Sequence, residues 1–145
     1  MNHADICARL PHAGRMCLLD SLESWDAENI ICLAVSHRDV DHPLRADGCL
    51  HAVAGVEYAA QAMALHGSLV SADDAPMAMG YLASVRDLRL EADDLAVLAS
   101  PLRIHAQRLS GDVTGFIYAF ELSAGGKPVL AGRAAVRQMA AGEIA

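Results

Sequence analysis

The stretch Gly48 to Gly67, GCLHAVAGVEYAAQAMALHG, constrains the fold more than any other part of the chain. From Ala52 to Leu65 it is almost unbroken small apolar residues, with Glu57 and Gln61 as the strongly polar side chains and a hydroxyl on Tyr58. Alanine and leucine favour helix, and nothing here favours strand. Asp47 is placed to cap the start, and Gly67 fits a position just past the end. A helix that is apolar all round has no side suited to water and is expected to be buried. Glu57 and Gln61 are four apart and share a face. A buried carboxyl is costly without a partner or a purpose, so Glu57 is either tied to a structural partner or is a candidate for chemistry. A membrane span is disfavoured: a carboxyl sits near the middle, and basic or aromatic flanks are lacking.

That helix needs something to bury it. The 145 residues, 54% hydrophobic, suit a single domain with a sizeable core. Met16 to Trp25 and Asn29 to Ser36 read as two strands joined by the polar hairpin link WDAEN. SHRDVDHPLRADG, with His37, His42 and Pro43, reads as a functional loop leading into the helix. After a turn-rich connector, SADDAPMAM, four more strands are expected. They are Gly80 to Leu90, Leu102 to Leu109, Val113 to Leu122 and Pro128 to Met139, with turns at Ser110–Asp112 and Ala124–Lys127. On the third of these, Phe116, Tyr118, Phe120 and Leu122 line one face. On the first, Leu82, Ser84, Arg86, Leu88 and Leu90 share a face. The order is two strands, one buried helix and four strands: an α+β arrangement in which a curved antiparallel sheet wraps the helix. Gly55, costly inside a helix, marks a close backbone approach.

Charge and thiols narrow the class. With 18 acidic and 11 basic residues the net charge is −7, which argues against a nucleic-acid partner. Cys7, Cys17, Cys32 and Cys49 form no CxxC pair, so a zinc or redox motif is not expected. With no signal pattern at the N-terminus, the reading is a cytoplasmic chain with reduced thiols serving as small core residues. Asp5 to Leu10 suits one helical turn, and His12 after Pro11 a surface imidazole.

Three segments together carry a family resemblance. PHAGRMCLLD resembles the PHR-x-P-x-LLVD opening of the β-hydroxyacyl-(acyl carrier protein) dehydratases. GVEYAAQA resembles their VEALAQ helix motif, and GYLASVRDLRL the strand that follows. The likeness runs from about Leu10 to Met139 and is nearer still to the small dehydratase-like proteins of aryl-polyene and related fatty-acid-type gene clusters. It implies a hot-dog fold of five to six strands around one helix. It also implies a dimer whose active sites lie at the interface, with a histidine from one subunit and a helix carboxyl from the other.

Carried onto this chain, the resemblance makes Glu57 the acid and His42 the base. His42 lies one residue farther from the acid than the family's His-Phe-Pro histidine does. His51 replaces the proline before the oxyanion glycine, Ala52 replaces that glycine, and Asp93-Asp94-Leu95 stands where the family has Pro-Gly-Asp. The Ala52 N–H is the implied oxyanion donor, and Gly55 and Gln61 are further substrate-binding candidates. No metal or cofactor is required. The implied reaction removes water from a 3-hydroxyacyl thioester on an acyl carrier protein, in a homodimer or in a heterodimer with a hot-dog paralogue, away from membranes. Two other readings stay open. One is a non-catalytic acyl-binding subunit of an active paralogue; the other is an acyl-thioester hydrolase. His66 and His105 read as structural.

Overall fold

A computed structural model of the chain describes residues 1–10, 16–70 and 80–138. The segment holding His12 and the SADDAPMAM connector lie outside the described residues. Helix α1, His3–Arg9, is two turns rather than one, because Asn2 and Asp5 form a capping box at its start. Strands β1, Ser21–Trp25, and β2, Asn29–Ala34, form the expected hairpin. The Asp26 carboxylate closes it by accepting from the N–H groups of Glu28 and Asn29 at 2.9 and 2.8 Å, which holds its pKa below the usual value.

Then come the central helix α2, Gly55–Val70, and strands β3, Gly80–Leu90, β4, Leu102–Asp112, β5, Gly115–Ala124, and β6, Lys127–Gln138. All six strands join one antiparallel sheet in the order β1-β2-β4-β5-β6-β3. The sheet wraps α2, on which no residue is exposed. Leu102, Ile104 and Ala106 of β4 and Tyr118, Phe120 and Leu122 of β5 are buried with Ala59, Ala62 and Leu65 of the helix in one core. A methyl group at Gly55 would overlap the Leu130 side chain, so the close approach expected there is present.

Several local expectations are corrected. Met16–Asp20 is not strand: the Gln61 side chain holds the backbone at Met16 and Leu18, and the segment reaches β2 where the Asp20 N–H donates to the Leu33 carbonyl at 2.9 Å. The β4–β5 turn falls at Val113–Thr114, three residues beyond the start of the expected turn, stabilised by Asp112 accepting from the Thr114 N–H at 2.8 Å. On β3 the regular alternation is broken by bulges at Leu82/Ser84 and Arg86/Arg89, with Asp87 at φ 55°. Asp47 does not cap α2: it turns the chain at φ 54°, with Gly48 at φ 78°, between the paired residues Ala46 and Cys49. Gly67 is a buried residue within the helix, not its terminator.

The largest correction concerns the thiols. Cys7 and Cys17 are joined in a disulfide with their Cα atoms 5.8 Å apart, because α1 lies beside the segment that begins at Met16. Cys32 alone matches the expected inert core thiol: burial pushes its pKa up to about 12. Among the described residues no helix is long and apolar enough to cross a membrane.

Candidate active site

The loop between β2 and α2 reaches the helix through two anchors. Asp94 accepts from the Leu50 and Ala96 N–H groups at 3.0 and 2.9 Å, and these bonds hold its carboxyl below the ordinary carboxylate range. The Leu95 N–H donates to the Leu50 carbonyl at 2.8 Å. Two residues on, the Ala52 N–H donates to the Asp93 carbonyl at 2.9 Å. This corrects the expectation for Ala52. Its N–H is occupied within the chain, so it is not an open oxyanion donor in this arrangement.

His42 comes down onto α2 from the same loop and is 5% exposed. The Leu44 N–H donates to its Nδ1 at 3.0 Å, so that nitrogen carries the lone pair. In the neutral ring the proton is on Nε2, which lies 3.0 Å from the Tyr58 hydroxyl. Tyr58 in turn lies 2.7 Å from Ser36 Oγ, and Ser36 donates to the Leu18 carbonyl at 2.8 Å. The donors are thereby ordered: His42 to Tyr58, Tyr58 to Ser36, Ser36 to Leu18. Burial holds His42 below its ordinary pKa and pushes that of Tyr58 up, so both are neutral at pH 7. A cavity of about 380 Å³ borders His42, lined also by His3, Cys17, Asp20, Ser36 and Pro43.

Glu57 is half-buried in the first turn of α2, adjacent in sequence to the tyrosine that meets His42. Gln61 is fully buried and organises this face. Its Oε1 accepts from the Leu18 N–H at 2.8 Å, while its Nε2 donates to the Met16 carbonyl at 2.6 Å and to Glu57 Oε1 at 3.3 Å. Gln61 therefore pins the Met16–Leu18 backbone to the helix and orients the carboxyl. His51 is exposed at the helix approach, its backbone paired opposite that of Asp94 through the bonds of the flanking residues. His37 is buried against the Leu98 carbonyl at 3.0 Å, and His66 bridges the Tyr118 hydroxyl at 2.7 Å and the Asp26 carbonyl at 2.8 Å. His105 meets Asn29 Oδ1 at 2.9 Å.

The structure thus brings His42 to Tyr58 and Glu57 to Gln61. Sequence reasoning missed Tyr58 and Ser36 as partners of His42. The available signal was that Tyr58 is the one hydroxyl in the apolar stretch from Ala52 to Leu65.

A curved antiparallel sheet wrapped on one long helix, with a helix carboxyl and a loop histidine at its start, defines a hot-dog protein. The ApeP-like family of ApeP dehydratases matches residues 4–144, and the chain belongs to that family. Among solved structures it is similar to the dehydratase heterocomplex ApeI:P from Xenorhabdus doucetiae, at 25% identity and TM-score 0.83, covering 94% of this chain and 91% of that one. It shares the fold of a mutant of the thioesterase PA1618 from Pseudomonas aeruginosa, at 18% identity and TM-score 0.66, with 96% of each chain covered. It also shares the fold of zebra fish thioesterase superfamily member 2, at 15% identity and TM-score 0.64, over 97% of this chain and 99% of that one. No curated protein matches the chain.

Proposed function

We propose that this chain takes part in dehydrating a 3-hydroxyacyl thioester, carried on an acyl carrier protein, to the trans-2-enoyl thioester and water. Membership of a dehydratase family supports an elimination. The observation that carries the reading is Glu57: a half-buried carboxyl near the start of the central helix, oriented by a fully buried amide. In the reaction a base removes a proton from C2 while an acid protonates the hydroxyl leaving C3. Glu57 is the acid, and general acid–base steps of this kind contribute about 100- to 10,000-fold. His42 is this chain's base, since burial favours its neutral form. To accept a proton it must release the Leu44 N–H from Nδ1, the nitrogen that holds the lone pair, and turn that nitrogen to the substrate. With the Ala52 N–H occupied, the role of oxyanion donor passes to the next N–H, that of Val53 in the single 3-10 turn Ala52–Ala54 that leads into α2.

The assembly is a pair with a second hot-dog subunit. Strand β3 is an edge of the sheet, nearly all of its described side chains are exposed, and Leu82, Leu88 and Leu90 are apolar among them. Such an edge invites a further strand. The similar structure being a heterocomplex supports a paralogue as that partner. In this setting the chain works in the cytoplasm, where acyl carrier chemistry belongs.

A second reading is favoured by two bonds, Ala52 to Asp93 and His42 to Tyr58. Both occupy groups that the chemistry would use, as in an accessory subunit whose paralogue supplies the reactive residues. The test is water loss from a carrier-bound 3-hydroxyacyl chain, with the protein alone and mixed with its hot-dog paralogue. The catalytic reading expects activity that Glu57→Gln and His42→Ala each abolish. Activity only with the paralogue, and indifferent to both changes, selects the accessory reading. Release of free carrier thiol would instead indicate hydrolysis.

A further inference from the structure

Three sulfur and nitrogen donors cluster beside the cavity that His42 borders, two of them, on His3 and Cys17, belonging to its lining. His3 and Cys7 are four apart on α1 and share a face, and Cys17 approaches from the segment clasped by Gln61. One ligand atom from each lies within 4.8 Å of the others. His3 Nδ1 is 2.7 Å from the Leu19 carbonyl, so it is the N–H donor and Nε2 keeps the lone pair. Nε2 is 3.5 Å from Cys7 Sγ. An imidazole anchored through its other nitrogen on a backbone carbonyl is the usual arrangement of a metal-ligating histidine. Tetrahedral zinc, with Zn–N of about 2.0 Å and Zn–S of about 2.3 Å, sets nitrogen and sulfur about 3.5 Å apart. Cys7 Sγ stands at that separation from Nε2 but beside the ring, 3.8 Å from Nδ1 as well, and it is bonded to Cys17 Sγ; reduction is what frees both sulfurs to swing toward the Nε2 lone pair.

We propose that His3, Cys7 and Cys17 form a redox-gated site for a zinc-class divalent cation, closed as the disulfide and opened by reduction. A dithiol reductant supplies two electrons and two protons. The Cys7–Cys17 bond breaks, both sulfurs become thiols, and the dithiol leaves as its own disulfide. The cation then displaces the two thiol protons to solvent and is held by two thiolates and His3 Nε2. Its fourth position takes water. Because His3 and Cys17 also line the cavity at His42, the bound cation lies beside the candidate active site. The proposal does not depend on the dehydration reading.

The test uses the full chain, reduced with dithiothreitol, desalted without oxygen and titrated with Co²⁺. The expected result is one Co²⁺ per chain, with a sulfur-to-cobalt charge-transfer band and the visible bands of a tetrahedral site, displaced by Zn²⁺ and absent before reduction. Cys7→Ser and Cys17→Ser abolish the band. His3→Ala, at an exposed position that leaves both thiols in place, weakens binding at least tenfold, and Cys49→Ser changes nothing. No sulfur-to-cobalt band in the reduced protein, or a band unaltered by Cys7→Ser or His3→Ala, would overturn the proposal.

Discussion

At the scale of the residue, the directed chain from His42 through Tyr58 and Ser36 to Leu18 makes a definite statement about where one proton sits. Nitrogen-15 NMR should find His42 as the neutral Nε2–H tautomer at pH 7; an Nδ1–H ring would contradict the ordering. Tyr58→Phe removes both the acceptor for that proton and the donor to Ser36, so it should cost about 1–3 kcal/mol of stability in urea unfolding. No measurable loss would mean the hydroxyl is dispensable. Neither partnership was legible in the sequence. Tyr58 and His42 are 16 positions apart, and only the descent of the loop onto the helix joins them. Glu57 and Gln61 were legible because both lie on one helix, where spacing alone fixes the face. Ala52 shows the limit of motif matching: the residue type keeps an N–H, but the carbonyl of Asp93, far along the sequence, decides whether it is free.

At the scale of the element, α2 and the loop before it carry three buried histidines, and burial holds His37, His42 and His66 all below the free value of 6.5. As pH falls through 6.5 the unfolded chain takes up protons that the folded chain refuses. Stability is therefore full above 6.5 and is lost as pH drops from there toward each folded pKa. The urea midpoint should fall between about pH 7.5 and about pH 5, before the carboxylates of Asp26 and Asp94 titrate. A midpoint that holds steady over that range would refute it. The helix itself was readable because its alanines and its lack of any polar face demand burial. Its ends were not. Asp47 and Gly67 look like caps, yet one is used in a tight turn and the other is packed within the helix. On β5 the alternation of Tyr118, Phe120 and Leu122 fixed the buried face, whereas on β3 two bulges overrode the same logic.

At the scale of the whole molecule, one edge of the sheet is almost unburied. Strand β3 pairs with β6 on one side and exposes Leu88 and Leu90. A strand with so little buried in its own chain is expected to be completed by a partner. Leu88→Lys should leave the monomer folded by circular dichroism while shifting the assembly to smaller species in analytical ultracentrifugation; an unchanged assembly would place the interface elsewhere. The disulfide also belongs to this scale, since it needs α1 and the segment that begins at Met16 to meet. A spacing rule written for CxxC motifs does not describe that encounter. The central claim is that Glu57 delivers the proton to the departing hydroxyl. The most direct measurement is the single-turnover rate of water loss from a carrier-bound 3-hydroxyacyl chain in the assembled complex, wild type against Glu57→Gln. The account predicts a fall of about 100- to 10,000-fold with the complex intact, and a variant that matches the wild-type rate would contradict it.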